Sequence, residues 1–164
     1  MNTYYELIKH IKETFEEDLR VNNVVTGDFE QWKKDLFILV HLDVIDSPFL
    51  GNSNTGVVNF NVVINVLDIR DFNKEDVKDR FWHNDTRHDS WNDTLSILNT
   101  ARNKVIKDHL QNDITLTTAT SAEKVSYAMM NGLDGWTQTW TIEVPDDFTS
   151  VCGDCTDVNN PQCN

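Results

Sequence analysis

GVVNFNVVINVLDI, residues Gly56 to Ile69, decides how the rest of the chain is read. Val58, Phe60, Val62, Ile64 and Val66 occupy alternate positions, with Asn59, Asn61 and Asn65 between them. Successive side chains of an extended strand point to opposite faces. A period of two therefore predicts a long strand with one apolar and one polar face. A sheet that is apolar on one face needs a cover for it. Two other stretches have the pattern of a cover. Tyr4, Leu7, Ile8, Ile11, Phe15 and Leu19 recur at helical spacing and predict an amphipathic helix from about Thr3 to Leu19. Leu95, Leu98, Ala101, Val105, Ile106 and Leu110 predict a second helix from about Asn92 to Gln111.

More strands flank the first. In Leu36 to Asp46, residues Ile38, Val40, Leu42 and Val44 share one face, while Phe37, Leu39, His41, Asp43 and Ile45 make a mixed one. The linker SPFLGNSNT, Ser47 to Thr55, predicts an antiparallel hairpin with a long tip. Val21 to Thr26 reads as a short strand stopped at Gly27, and Asp71 to Phe81 as a charged stretch able to form a short helix. Towards the end, Ile114 to Thr120 is a threonine-rich strand. Val125 to Met130 is expected to pair with Trp136 to Val144 across the turn NGLDG, Asn131 to Gly135. Trp136, Trp140, Ile142 and Val144 share a face, and Pro145 ends the strand. The expected fold is α+β: an antiparallel sheet with two amphipathic helices packed on one face. One domain spans residues 1–145, followed by an acidic, cysteine-containing arm, residues 146–164.

The chain has 164 residues and 39% hydrophobic content, which suits one core rather than two. Asp and Glu outnumber Lys and Arg by 27 to 14, a formal net charge of −13. Nucleic-acid affinity comes mainly from cations that neutralise phosphates, so this balance argues against a nucleic-acid reader. It suits a wall that DNA passes without sticking. Met1 to Glu6 has no basic segment leading into an apolar run, so no signal peptide is expected, and no apolar stretch is long enough to span a bilayer.

The chemistry-bearing candidates are few. FWHNDTRHDSWNDT, Phe81 to Thr94, gathers His83, Asp85, His88 and Asp89 among aromatic residues. The two histidines are five apart, not the i, i+4 spacing that aims two imidazoles from one helix face. Asp89 or Ser90 as a helix cap, with Asp93 in the first turn, accounts for the acids. A metal-dependent enzyme built on this loop is the lesser alternative. CGDC and a third cysteine, Cys152, Cys155 and Cys163, fall one thiol short of a four-ligand zinc site. A zinc-stabilised binding adaptor is therefore the second alternative, with free interface thiols preferred. The arm is too poor in apolar residues to offset the entropy of its own ordering, so its own domain, a metal or another chain must hold it. Phe49 and Leu50, at the hairpin tip, mark a docking surface or fold back on the domain. No nucleophile elbow, P-loop, dinucleotide fingerprint or HExxH is present.

TGDFEQWKKDLFILVHLDV (Thr26–Val44), NVLDIRD (Asn65–Asp71), NDTRHDSWNDTLSILN (Asn84–Asn99) and GLDGWTQTWTIEVP (Gly132–Pro145) together resemble bacteriophage neck and tail-terminator (tail-completion) proteins, in particular the connector ring proteins of crAss-like phages. The resemblance covers most of residues 1–145 and leaves the arm outside. It implies a tail-terminator-like fold and a structural, non-catalytic virion protein without a cofactor. It also implies a homo-oligomeric ring, commonly a dodecamer, that joins portal to tail through other ring proteins and surrounds passing DNA without binding it specifically. Such a protein is assembled in the host cytoplasm and has no business with a membrane. On this reading Phe49, Leu50, His83, Arg87, His88, Phe148, Cys152, Cys155 and Cys163 are the expected contacts between chains.

Overall fold

The computed structural model describes residues 3–27, 37–46, 57–69, 87–112, 114–128 and 132–145. Among these residues the order of elements is α1 (Thr3–Glu16), β1 (Asn23–Thr26), β2 (Leu39–Asp46), β3 (Val57–Ile69), α2 (Arg87–Asn112), β4 (Thr115–Ala119), β5 (Glu123–Ala128) and β6 (Leu133–Pro145). The strands form one six-stranded sheet in the order β1-β2-β3-β6-β4, with β5 also paired to β6. The α+β class is as expected. The segments Asp71 to Phe81 and Ser47 to Thr55 lie outside the described residues.

β3 is the spine. It pairs antiparallel with β2, setting Val40 opposite Val66 and Leu42 opposite Ile64. On its other side it pairs with β6 along its whole length, setting Val58, Phe60, Val62 and Val66 opposite Val144, Ile142, Trp140 and Trp136. Cross-strand partners share a face, so these residues build one continuous apolar surface. Val62, Ile64, Val66, Trp140 and Ile142 on that surface are fully buried. Leu7, Ile11 and Phe15 of α1 and Ile97, Leu98, Ala101 and Val105 of α2 close the same core, so both helices cover one face of the sheet. Each large apolar side chain removed from water here contributes about 1.5–3 kcal/mol. Trp140 stacks on Phe15 with centroids 6.0 Å apart and anchors the centre.

The opposite face is polar, as the asparagines imply, and it is cross-linked. Asn61 Nδ2 donates to Asp46 Oδ1 at 2.6 Å, and Thr141 Oγ1 donates to Asn61 Oδ1 at 2.7 Å. One asparagine thus joins β2, β3 and β6. Three leucines on this face, Leu39, Leu67 and Leu133, are buried, whereas Val57 and Ile69 at the ends of β3 are exposed. His41 is buried with the leucines, its Nε2 2.7 Å from the Gly27 carbonyl oxygen and its Nδ1 3.3 Å from Asn65 Nδ2.

Four local expectations are corrected. The sheet is mixed rather than antiparallel, because β1 pairs parallel to β2, with Val24 opposite Val40. Parallel neighbours need a crossover of about a dozen residues, and the stretch between Thr26 and Leu39 supplies one. Helix α1 stops at Glu16, where tighter bonds such as Asp18 N–H to the Phe15 carbonyl close it. Leu19 is therefore not in the core stripe but 98% exposed.

Helix α2 reaches back to Arg87, so what read as a loop before Asn92 is helical from there on. Its buried stripe starts with Ser90 and Thr94, whereas Ile106 is 48% exposed. Ser90 Oγ donates to Asp68 Oδ2 on β3 instead of capping, and Thr94 Oγ1 donates back to the Ser90 carbonyl. Satisfied hydroxyls on a buried stripe hide its period from an apolar count. In NGLDG the turn ends at Gly132, which has φ 64°, and Leu133, Asp134 and Gly135 already belong to β6.

Candidate functional site

Arg87, His88 and Trp91 lie at i, i+1 and i+4 of α2, so one face of its first turn carries all three. The helix packs on the apolar face of β6 beside the β5 edge, where Lys124 stands opposite Trp136. The result is a basic and aromatic cluster centred on Trp91. Lys124 Nζ sits 3.9 Å from the Trp91 ring centroid and 5.7 Å from that of Trp136. The Arg87 guanidinium lies 5.1 Å from Trp91, and His88 meets the same ring edge-on at 5.5 Å. A cation held against an indole face is worth about 0.5–1 kcal/mol when exposed and more when desolvated.

The indoles are fixed by their N–H groups. Trp91 Nε1 donates to the Val125 carbonyl at 3.3 Å, and Trp136 Nε1 donates to the Trp91 carbonyl at 2.7 Å. α2, β5 and β6 are therefore locked together under the cations. Among the described residues the nearby acids point elsewhere or are already engaged. Glu123 precedes Lys124 on its strand, so it faces the other side of the sheet. Asp89 is two positions from Arg87 and Trp91, off their helix face. Asp68 takes the Ser90 hydroxyl, and Asp134 is fully buried.

A second feature is a groove of about 480 Å3 between the end of α1 and the middle of α2, lined by Phe15, Leu19, Arg20, Ile97, Ala101 and Lys104 among others. Ion pairs hold its walls. Arg20 donates to Asp18 Oδ2 at 2.7 Å, approaches Asp93 Oδ1 at 3.6 Å and reaches Ser96 Oγ at 3.4 Å. Lys104 pairs with Glu17. The side-chain hydrogen bond from Arg20 holds the Asp18 carboxyl below its ordinary range against the opposing effect of burial. A depressed folded-state value means a stabilisation that is present above the unfolded value, near pH 4, and is lost as pH falls through the folded one. We expect Asp18→Asn to cost under about 1 kcal/mol at pH 7, because the pair is solvent-screened. Urea titrations should show that cost shrinking as pH falls below the unfolded value and vanishing once it has passed the depressed folded one. A cost unchanged at low pH would remove the ion pair as its cause.

Of the expected interface residues, Arg87 and His88 fall within the described structure, and both belong to the Trp91 cluster. Phe49, Leu50, His83, Phe148, Cys152, Cys155 and Cys163 lie outside the described residues. Of the alternative metal quartet, His83 and Asp85 lie outside as well, while His88 packs on Trp91. Among the described residues no group of three or more His, Cys, Asp or Glu is placed to hold a metal. Among them, too, no helix is long and apolar enough to cross a membrane, which says nothing of a β-barrel. Sequence reasoning missed Lys124, Trp136 and the groove. The i, i+4 spacing of Arg87 and Trp91 was a usable signal once that segment was taken as helix, but nothing local joins Lys124 to it. No protein-family model matches the chain, and no curated protein matches it.

Proposed function

We propose that the chain is a structural virion protein, a non-catalytic subunit of a ring in a phage head-to-tail connector that links portal to tail around the DNA channel. The observation that carries this reading is a pair of unlike apolar exposures at the two ends of α1. Tyr4 and Tyr5, 43% and 68% exposed, stand at its start, where Tyr4 leans on Phe60. Leu19, 98% exposed, stands beyond its end at the rim of the groove. The 14 residues of α1 separate the two by about 21 Å. A closed ring needs two different surfaces on each subunit, one for each neighbour, whereas a two-fold dimer needs only one.

Charge supports the same reading. A net charge of −13 on each copy makes an assembly that repels phosphate, so DNA can slide through it. The strand, turn and helix-start segments that resemble connector ring proteins supply the dodecameric expectation.

The test is light scattering coupled to size exclusion, with negative-stain images of the same peak. The expected result is a closed ring of fixed copy number, formed alone or when a portal ring is added. A monomer that stays monomeric through the micromolar range and ignores portal rings would overturn the proposal.

A further inference from the structure

We infer that copies of the chain join edge to edge, the β4 edge of one pairing antiparallel with the β1 edge of the next, so that the sheet continues from subunit to subunit. The inference rests on the ring reading, because each edge finds its partner on another copy.

The topology leaves both edges open. In the order β1-β2-β3-β6-β4, among the described residues, β1 has only β2 beside it and β4 has only β6. An open edge presents a row of backbone N–H and C=O groups, and edges that must stay single are guarded by charged side chains or proline. These two lack both guards. VNNVVTG, Val21 to Gly27, contains β1, and ITLTTATSA, Ile114 to Ala122, contains β4. Neither stretch holds a charged residue or a proline, in a chain that is 25% charged and carries −13. Copies so charged repel one another, so the surfaces that meet are those without charge. β5, farther along the same side of β6, carries Glu123 and Lys124 and is guarded.

Polarity and length also fit. β1 runs parallel to β2, while β2 and β6 both run antiparallel to β3, so β1 and β6 point the same way. β4 is antiparallel to β6. A copy placed in the same orientation beyond β4 therefore offers its β1 antiparallel, the more stable kind of pairing. β1 has 4 residues and β4 has 5. On the helix side of the sheet, Val24 and Leu116 are only partly buried against their own core, and joining the edges covers both. On the polar side, Asn23 meets Thr115 and Thr118, which are uncharged and able to hydrogen-bond. The two edges are unlike, so the contact is heterologous, the kind that closes a ring.

The test uses the full-length chain carrying Cys152→Ser, Cys155→Ser and Cys163→Ser, with one new cysteine on each edge: Asn23→Cys with either Thr115→Cys or Thr118→Cys. Within one copy the edges are four strand spacings apart, about 19 Å, and a disulfide needs Cα atoms within about 7 Å. A bond between them must therefore join two copies. The expected result on mild oxidation is a ladder of covalent multimers from at least one pair and no dimer from any single variant. A dimer from Thr115→Cys or Thr118→Cys alone would show β4 meeting its own kind across a two-fold axis and overturn the inference. So would an assembled ring that gives no ladder from either pair, and that result would leave the ring reading standing. Light scattering on the unaltered chain reads the ring separately, since a monomer there removes the ring reading and this pairing with it. As a second measurement, with the native cysteines in place, Thr118→Lys is expected to raise the concentration for half-assembly about tenfold by guarding the edge. Adding Asn23→Asp should restore assembly through an opposite-charge pair across the joint. An assembly midpoint unmoved by Thr118→Lys, in a protein with an unchanged melting temperature, would also overturn it.

Discussion

Gly135→Ala is expected to destabilise the protein by about 3 kcal/mol or more, although the change adds a single methyl group. Gly135 lies inside β6, opposite Leu67 of β3 and Val125 of β5, so the sheet continues on both sides of it. A Cβ built there would stand 2.0 Å from the Val66 carbonyl oxygen and 3.0 Å from the Leu67 Cα. Those atoms are backbone of the central strand and cannot swing away as a side-chain tip can. Relief requires parting β3 from β6, the longest pairing in the sheet, and the apolar face that both helices cover. Domains of this size are stable by about 5–15 kcal/mol, so the loss is a large share of the total. Urea denaturation followed by circular dichroism measures it. Thr137→Ala, half-buried two residues on along the same face, is the control and should cost under about 1 kcal/mol. An alanine at 135 as stable as that control would show that β3 and β6 do not approach this closely.

Trp140→Ala should cost about 3–5 kcal/mol, for two reasons that a second substitution separates. The indole is fully buried, opposite Val62 and stacked on Phe15, so its removal leaves a cavity at the junction of α1 and the sheet. Its Nε1 also donates to Gln138 Oε1 at 2.8 Å, and Gln138 Nε2 in turn donates to the Thr120 carbonyl at 2.6 Å. Gln138 is itself buried, so losing the indole N–H leaves its carbonyl oxygen short of a donor. Trp140→Phe keeps most of the packing and loses the donor, and we expect it to cost about 1–3 kcal/mol. Because the substitution removes a fluorophore, far-ultraviolet dichroism is again the readout. A phenylalanine variant as unstable as the alanine one would assign the whole effect to the hydrogen-bond chain through Gln138 and Thr120. An alanine variant losing less than about 1 kcal/mol would show that the core collapses around the gap.

The Trp91 cluster divides in the same way between what sequence spacing carries and what it does not. Arg87 and Trp91 are neighbours on any helix that includes both. Their meeting with Lys124 depends on β5 pairing with β6 in the register that puts Lys124 opposite Trp136. A change of one residue in that register would turn Lys124 to the polar face and bring Glu123 in its place.

The faces of β3 and β6, and the Leu7, Ile11 and Phe15 stripe of α1, could be read from the chain alone. They follow from periods of two and 3.6 residues, set by backbone geometry and repeated over enough positions to stand out. α2 was legible at its centre but not at its start, where the buried positions are Ser90 and Thr94. Three features had no local signature: the parallel placement of β1 beside β2, the solvent exposure of Leu19, and the gathering of Lys124 with two tryptophans. Each depends on which residues distant in sequence become neighbours in space. Burial and pairing set that across the whole core, and a period along the chain says only which way a side chain points, not what it meets.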